Sequence, residues 1–136
     1  YKNGFLNKQK RDARATDLIE KFEINCTGPN APLWSLSGGN QQRVVLARET
    51  SDKPIVLVAS QPTRGLDVGA IEYMTRQLRS LADSGVGVLL ISSELDEILS
   101  LSDRIGVIFR GKIADSMRRQ DADRENLGLL MGRGES

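Results

Sequence analysis

Residues 35–43 read Ser-Leu-Ser-Gly-Gly-Asn-Gln-Gln-Arg. Adjacent glycines let a backbone approach a ligand with no Cβ in the way. These two, Gly38 and Gly39, stand where a polar, helix-ready stretch begins. The unpaired amides of a helix's first turn, together with its dipole, attract an anion such as phosphate. Ser37 adds a hydroxyl donor, and Asn40 and Gln41 add amide groups. The same residues also read as a plain loop with Ser37 as an N-cap, and the glycines alone do not separate the two readings.

Other chemistry is narrowed by what the chain lacks. It contains no histidine, the side chain most often used for proton transfer near neutral pH. One cysteine, Cys26, allows neither an internal disulfide nor a zinc-finger framework, and reads as structural. Glu94, Asp96 and Glu97 could pass for a metal cluster but read better as acids in the first turn of a helix. With 19 basic and 18 acidic residues the net charge is +1, so no electrostatic argument points to nucleic acid. Apolar residues make up 39% and charged residues 27% of 136 residues, the composition of one globular domain. No apolar run approaches the roughly 20 residues that cross a bilayer. No signal peptide opens the chain, and its first residue is Tyr1, so it reads as a piece of a longer product.

The elements that must position these residues follow from periodicity and turn signals. Ala15, Leu18, Ile19 and Phe22 predict a helix over 12–22, and Gly28-Pro29-Asn30 with Pro32 a turn-rich stretch after it. A second helix is expected from Gly39 or Asn40 through Glu49. Ile55–Ala59 and Val86–Ile91 are short continuous apolar runs, the pattern of strands buried on both faces. Between them a loop, 61–67, leads to a helix capped by Asp67 and running to Asp83, with Ile71, Met74, Leu78 and Leu81 on one face. Ser93 is placed to cap a short helix carrying Leu95, Ile98 and Leu99. Strands 104–109 and 113–114 flank an Arg110-Gly111-Lys112 turn, and Leu127–Met131 is a short apolar stretch able to dock as a helix. Strands alternating with helices predict right-handed crossovers and a mostly parallel α/β sheet.

Leu36–Arg43 resembles the signature sequence of ATP-binding cassette (ABC) proteins. After the next apolar strand, Gln61-Pro62-Thr63-Arg64-Gly65-Leu66-Asp67 is similar to the end of that family's Walker B strand and its D-loop. Leu89–Glu97 resembles the strand and turn that carry the switch histidine, and Ser102–Ile105 through Gly111–Ile113 the closing strands. The resemblance runs from about Asp12 to Ala114 in order and in register. The phrase Gln61–Ala70, with Ser92-Ser93-Glu94-Leu95 at the switch, resembles the second cassette of the fused ATPase subunits that energise sugar and nucleoside importers.

The resemblance implies the C-terminal part of a P-loop NTPase domain, without the P-loop strand and helix, since no G-x-x-x-x-G-K-[ST] loop occurs. That absent strand is expected beside Ile55–Ser60, leaving a sheet edge. Segment 1–35 is then part of the helical subdomain, 36–115 the C-terminal part of the core, and 116–136 a tail. Ser37, Gly38, Gly39, Asn40 and Gln41 are the implied nucleotide-binding residues, and Asp67 the D-loop aspartate touching a partner cassette. Trp34 is a packing residue, or else lies near the nucleotide base. Arg43, Arg48 and Arg64 read as solvated or bonded to nearby carboxylates, with Arg64 near the dimer interface as an option. The Walker B carboxylates are replaced by Ser60 and Gln61, and the switch histidine by Ser93. Serine is a poor Mg²⁺ ligand, and glutamine cannot take a proton from water. No catalytic residue and no metal ligand is therefore assigned, and the chain alone is expected to be inactive. ATP and Mg²⁺ are expected only in a complete dimeric assembly. The implied partners are a second cassette and transmembrane permease subunits, on the cytoplasmic side of the membrane and peripheral to it. A non-transport ABC protein, or a scaffold that binds no nucleotide, are the alternative functions.

Overall fold

The computed structural model describes residues 7–132. The remaining residues of segments 1–35 and 116–136 lie outside that range. Contacts divide the chain into two units, one formed by residues up to Leu57 with Thr63–Met74, the other by Val58–Pro62 with residues from Thr75 on.

The first unit opens with α1 (Lys8–Lys21), four residues earlier than its apolar positions predict. The start is set by a cap: the Asn7 side chain accepts a hydrogen bond from the Lys10 amide at 3.1 Å. Lys8, Gln9, Lys10 and Arg11 are good helix formers and need no apolar stripe to continue it. The helix closes where the chain folds back, with the Ile24 amide donating to the Ile19 carbonyl at 2.9 Å. Phe22 and Ile24 are buried there, and Glu23 between them takes a positive φ of 51°. A 3-10 turn, Leu33–Ser35, leads into α2 (Gly38–Thr50), which buries Leu46 and Ala47. The first turns of α3 (Val68–Asp83) also belong to this unit, entered through the expected cap. Asp67 Oδ1 accepts from the Ala70 amide at 2.9 Å.

In the second unit, β1 (Val56–Ser60), which begins in the first, pairs with β2 (Gly87–Ile91). Just past their ends the Gln61 amide donates to the Ile91 carbonyl at 2.7 Å, so both strands finish at the same edge and run parallel. Both strands were expected to be buried on each face. Instead β1 alternates, with Leu57 and Ala59 buried while Val56 and Val58 are exposed. On β2, Leu89 and Ile91 are exposed in the same way. A parallel sheet is normally covered on both faces, and the described residues supply no layer over that one.

After α4 (Leu95–Leu101) come β3 (Arg104–Phe109) and β4 (Lys112–Arg118), an antiparallel pair from Arg104↔Arg118 to Phe109↔Lys112. Arg110 and Gly111 both have positive φ, 46° and 78°, as a two-residue type I′ hairpin requires. The fourth strand is thus longer than the predicted 113–114 and crosses the expected boundary at 115. A 3-10 turn then leads to α5 (Arg124–Gly132), the helix expected of the apolar stretch. Leu127 on α5 is 1% exposed and packs with Ile105, Val107 and Ala122, flanked by Leu95, Ile98 and Leu99. A cavity of about 700 Å³ runs along both β2 and β3 and also meets Leu78, Leu95 and Ile98. In the two-stranded sheet β1 and β2 each keep one edge unpaired among the described residues, and the cavity lies along β2.

Candidate functional site

The glycine-containing stretch forms the N-terminus of α2. Ser37 holds an extended backbone, φ −61° and ψ 156°, and is the N-cap. Its Oγ accepts from the Asn40 amide at 3.4 Å and from Asn40 Nδ2 at 2.9 Å. Asn40 Oδ1 in turn accepts from the backbone amide of Asn25 at 2.7 Å. Gln41 Nε2 donates to the Leu36 carbonyl at 2.9 Å. Both amide side chains are thus engaged in holding the loop. Gly38 and Gly39 are the first two helical residues, where backbone amides have no intrahelical acceptor. This end of α2 offers one hydroxyl and two free-standing amides, with the positive end of the helix dipole behind them.

Gly39 has a second reason to be glycine. A Cβ built there would lie 2.9 Å from the Ala70 Cβ at the start of α3. One turn further along α2, the Arg43 guanidinium stacks over the Tyr73 ring, 3.6 Å from its centroid. Arg43 also donates to the Glu23 carbonyl at 2.6 Å and reaches the Glu23 carboxylate at 3.5 Å. The Tyr73 hydroxyl donates to the Phe22 carbonyl at 2.8 Å. Arg43 is thus bonded to a nearby carboxylate, one of the two options read from the sequence, and beyond that it ties helices together through the Tyr73 ring. Sequence reading missed this role, although Asn40 and Arg43 share one helix face by their spacing of three. Arg48 pairs with its neighbour Glu49 at the surface. Trp34 is 82% exposed. Cys26 is half-buried, its thiol directed to the Gly28 carbonyl.

In the second unit the structure brings Gln61 and Ser93 together at the carboxyl ends of β1 and β2. The Ser93 hydroxyl donates to Gln61 Oε1 at 3.5 Å, and Gln61 sits at φ 49°. Ser60, at the end of β1, is exposed. Ser93 does not cap α4 as predicted. Glu94 occupies the cap without a side-chain bond, and the Ser92 hydroxyl accepts from the Glu94 amide at 3.0 Å. Ser92 thus closes a local turn ahead of the helix, while the Ser93 hydroxyl is directed to Gln61 and no side chain caps α4. Among the described residues no group of three His, Cys, Asp or Glu could hold a metal. Asp96 instead pairs with Arg124. A hydroxyl, an amide and a second hydroxyl (Ser60, Gln61, Ser93) do not fit Mg²⁺, which prefers anionic oxygens.

No protein-family model matches the chain. Similar proteins include the nucleoside import ATP-binding protein NupA of Lactococcus lactis subsp. cremoris, 48% identical over 130 residues, 96% of this chain and 26% of that protein. The guanosine import ATP-binding protein NupO of Bacillus subtilis is 45% identical over 94% of this chain and 25% of its own length. The ribose import ATP-binding protein RbsA 2 of Rhizobium etli is 43% identical over 90% of this chain and 24% of its own length. The chain is a homologue of ABC import ATP-binding proteins. It spans about a quarter of the length of these relatives, in their C-terminal part. Among solved structures, a nucleotide-free ATP-binding cassette from an ABC transporter matches with a TM-score of 0.73, at 24% identity over 96% of this chain and 50% of that one. The dimeric post-hydrolysis state of the cassette MJ0796, bound to ADP and Pi, matches with a TM-score of 0.70, at 24% identity over 86% of this chain and 50% of that one. The fold is that of an ABC ATPase, a P-loop NTPase fold, of which this chain forms an α/β part. No described helix is long and apolar enough to cross a membrane.

Proposed function

We propose that this chain is the C-terminal part of a degenerate second cassette in the ATP-binding subunit of a sugar or nucleoside importer. Its task is to complete the ATP site of a partner cassette. The observation that carries this reading is the N-terminus of α2. There the Ser37 hydroxyl and the amides of Gly38 and Gly39 stand at the positive end of a 13-residue helix. The Ser37 hydroxyl and the Gly39 amide would contact the terminal phosphate of ATP held by the partner, and Asp67 would lie against that partner. Such contacts exist only when two cassettes close, so phosphate binding is coupled to domain motion. The chain's own hydrolytic position works differently. Gln61 and Ser93 bond to each other, and with Ser60 they offer no carboxylate to Mg²⁺ and no base to water. Hydrolysis would occur in the partner's site, where ATP and Mg²⁺ are bound. The assembly would sit on permease subunits at the cytoplasmic side of a membrane, with no role for nucleic acid. Ser37→Arg in the full-length protein fills the phosphate position and is expected to abolish ATP turnover. Unchanged turnover would refute the reading.

A further inference from the structure

We infer that Asn40 is a positioning residue that sets the polarity of the Ser37 hydroxyl and ties it to the turn at Phe22–Asn25; the inference rests on the reading just given. A serine hydroxyl has two acceptor lone pairs and one donor proton. Here Asn40 approaches Oγ twice, through its backbone amide at 3.4 Å and its side-chain Nδ2 at 2.9 Å. Both lone pairs are then engaged by donors, and the proton is what Ser37 has left to offer. A phosphate oxygen only accepts, so this is the polarity that suits it.

The orientation of the Asn40 amide is itself fixed. The Asn25 backbone amide, 2.7 Å from Oδ1, can only donate, so it demands the oxygen. The nitrogen must therefore face Ser37. Asn25 belongs to the turn that the next helical turn also grips. Arg43 donates to the Glu23 carbonyl at 2.6 Å, and Tyr73, under its guanidinium, donates to the Phe22 carbonyl at 2.8 Å. Movement of that turn would draw on Asn40 and withdraw the donor from Ser37.

The test uses the full-length protein with its permease and measures ATP turnover for Ser37→Ala, Asn40→Asp and the double variant. Aspartate keeps an oxygen for the Asn25 amide, so folding is retained, but it offers Ser37 only acceptors and recaptures its proton. Asn40→Asp is expected to lower kcat about as much as Ser37→Ala, roughly tenfold for one hydrogen bond to a charged group. KM for ATP should stay within about twofold, because the partner's own loop holds the nucleotide. The double variant should be no slower than Ser37→Ala alone, since a residue acting through another adds nothing once that other is gone. A multiplicative loss in the double variant would overturn the inference while leaving the proposed function standing. A silent Ser37→Ala would overturn both.

Discussion

Gly39→Ala separates the two reasons for a glycine at the start of α2. The residue has an ordinary helical backbone, so the penalty comes from space alone. The added Cβ would lie 2.9 Å from the Ala70 Cβ, whereas two carbons are comfortable at about 3.5–4.0 Å. Forcing a methyl group into a packed contact costs about 1–3 kcal/mol. Replacing a helical glycine by alanine returns up to about 1 kcal/mol, and less in a first turn. The net expectation is a loss of about 1–2 kcal/mol. Ala70→Gly reopens the contact, so the double variant should be more stable than the sum of the single changes by about 1–2 kcal/mol. Urea unfolding of the four proteins, with unchanged m-values, reads this directly. Gly39→Ala that is neutral or stabilising, or a cycle with no coupling, would refute the packing argument. The glycine would then be explained by ligand approach alone.

Leu127→Ala empties the best-buried side chain of the second unit, 1% exposed against Ile105 and Val107, and should cost about 2–5 kcal/mol in denaturant unfolding. Asp52→Asn removes an ion pair with Arg14 in which both side chains are largely exposed, and should change stability by less than about 0.5 kcal/mol.

The order of elements was legible because each signal is local. Apolar runs announced β1, β2 and β3, and Asp67 and Ser37 announced the caps of the helices they precede. The start of α1 was hidden because its first turn has helix formers but no apolar period. β4 was underestimated because Asp115 and Ser116 interrupt its apolar residues, while its pairing with β3 holds it to Arg118. Burial misled where it depends on other layers: Val56 and Val58 look like core residues in sequence and are exposed in the described structure. Within the candidate site, the residue types were readable and their partners were not. Asn25 with Asn40, Phe22 with Tyr73, and Gln61 with Ser93 are separated by 15, 51 and 32 residues, and no local pattern joins them.

Trp34, exposed two residues before the signature stretch, is the natural reporter for the central claim. Its fluorescence should be followed while Mg-ATP is added, first to this chain alone and then with a competent partner cassette. A saturable change that requires the partner is the expected result. A saturable change in the chain alone would mean that it holds a complete nucleotide site of its own, and would contradict the division of labour proposed for the two cassettes.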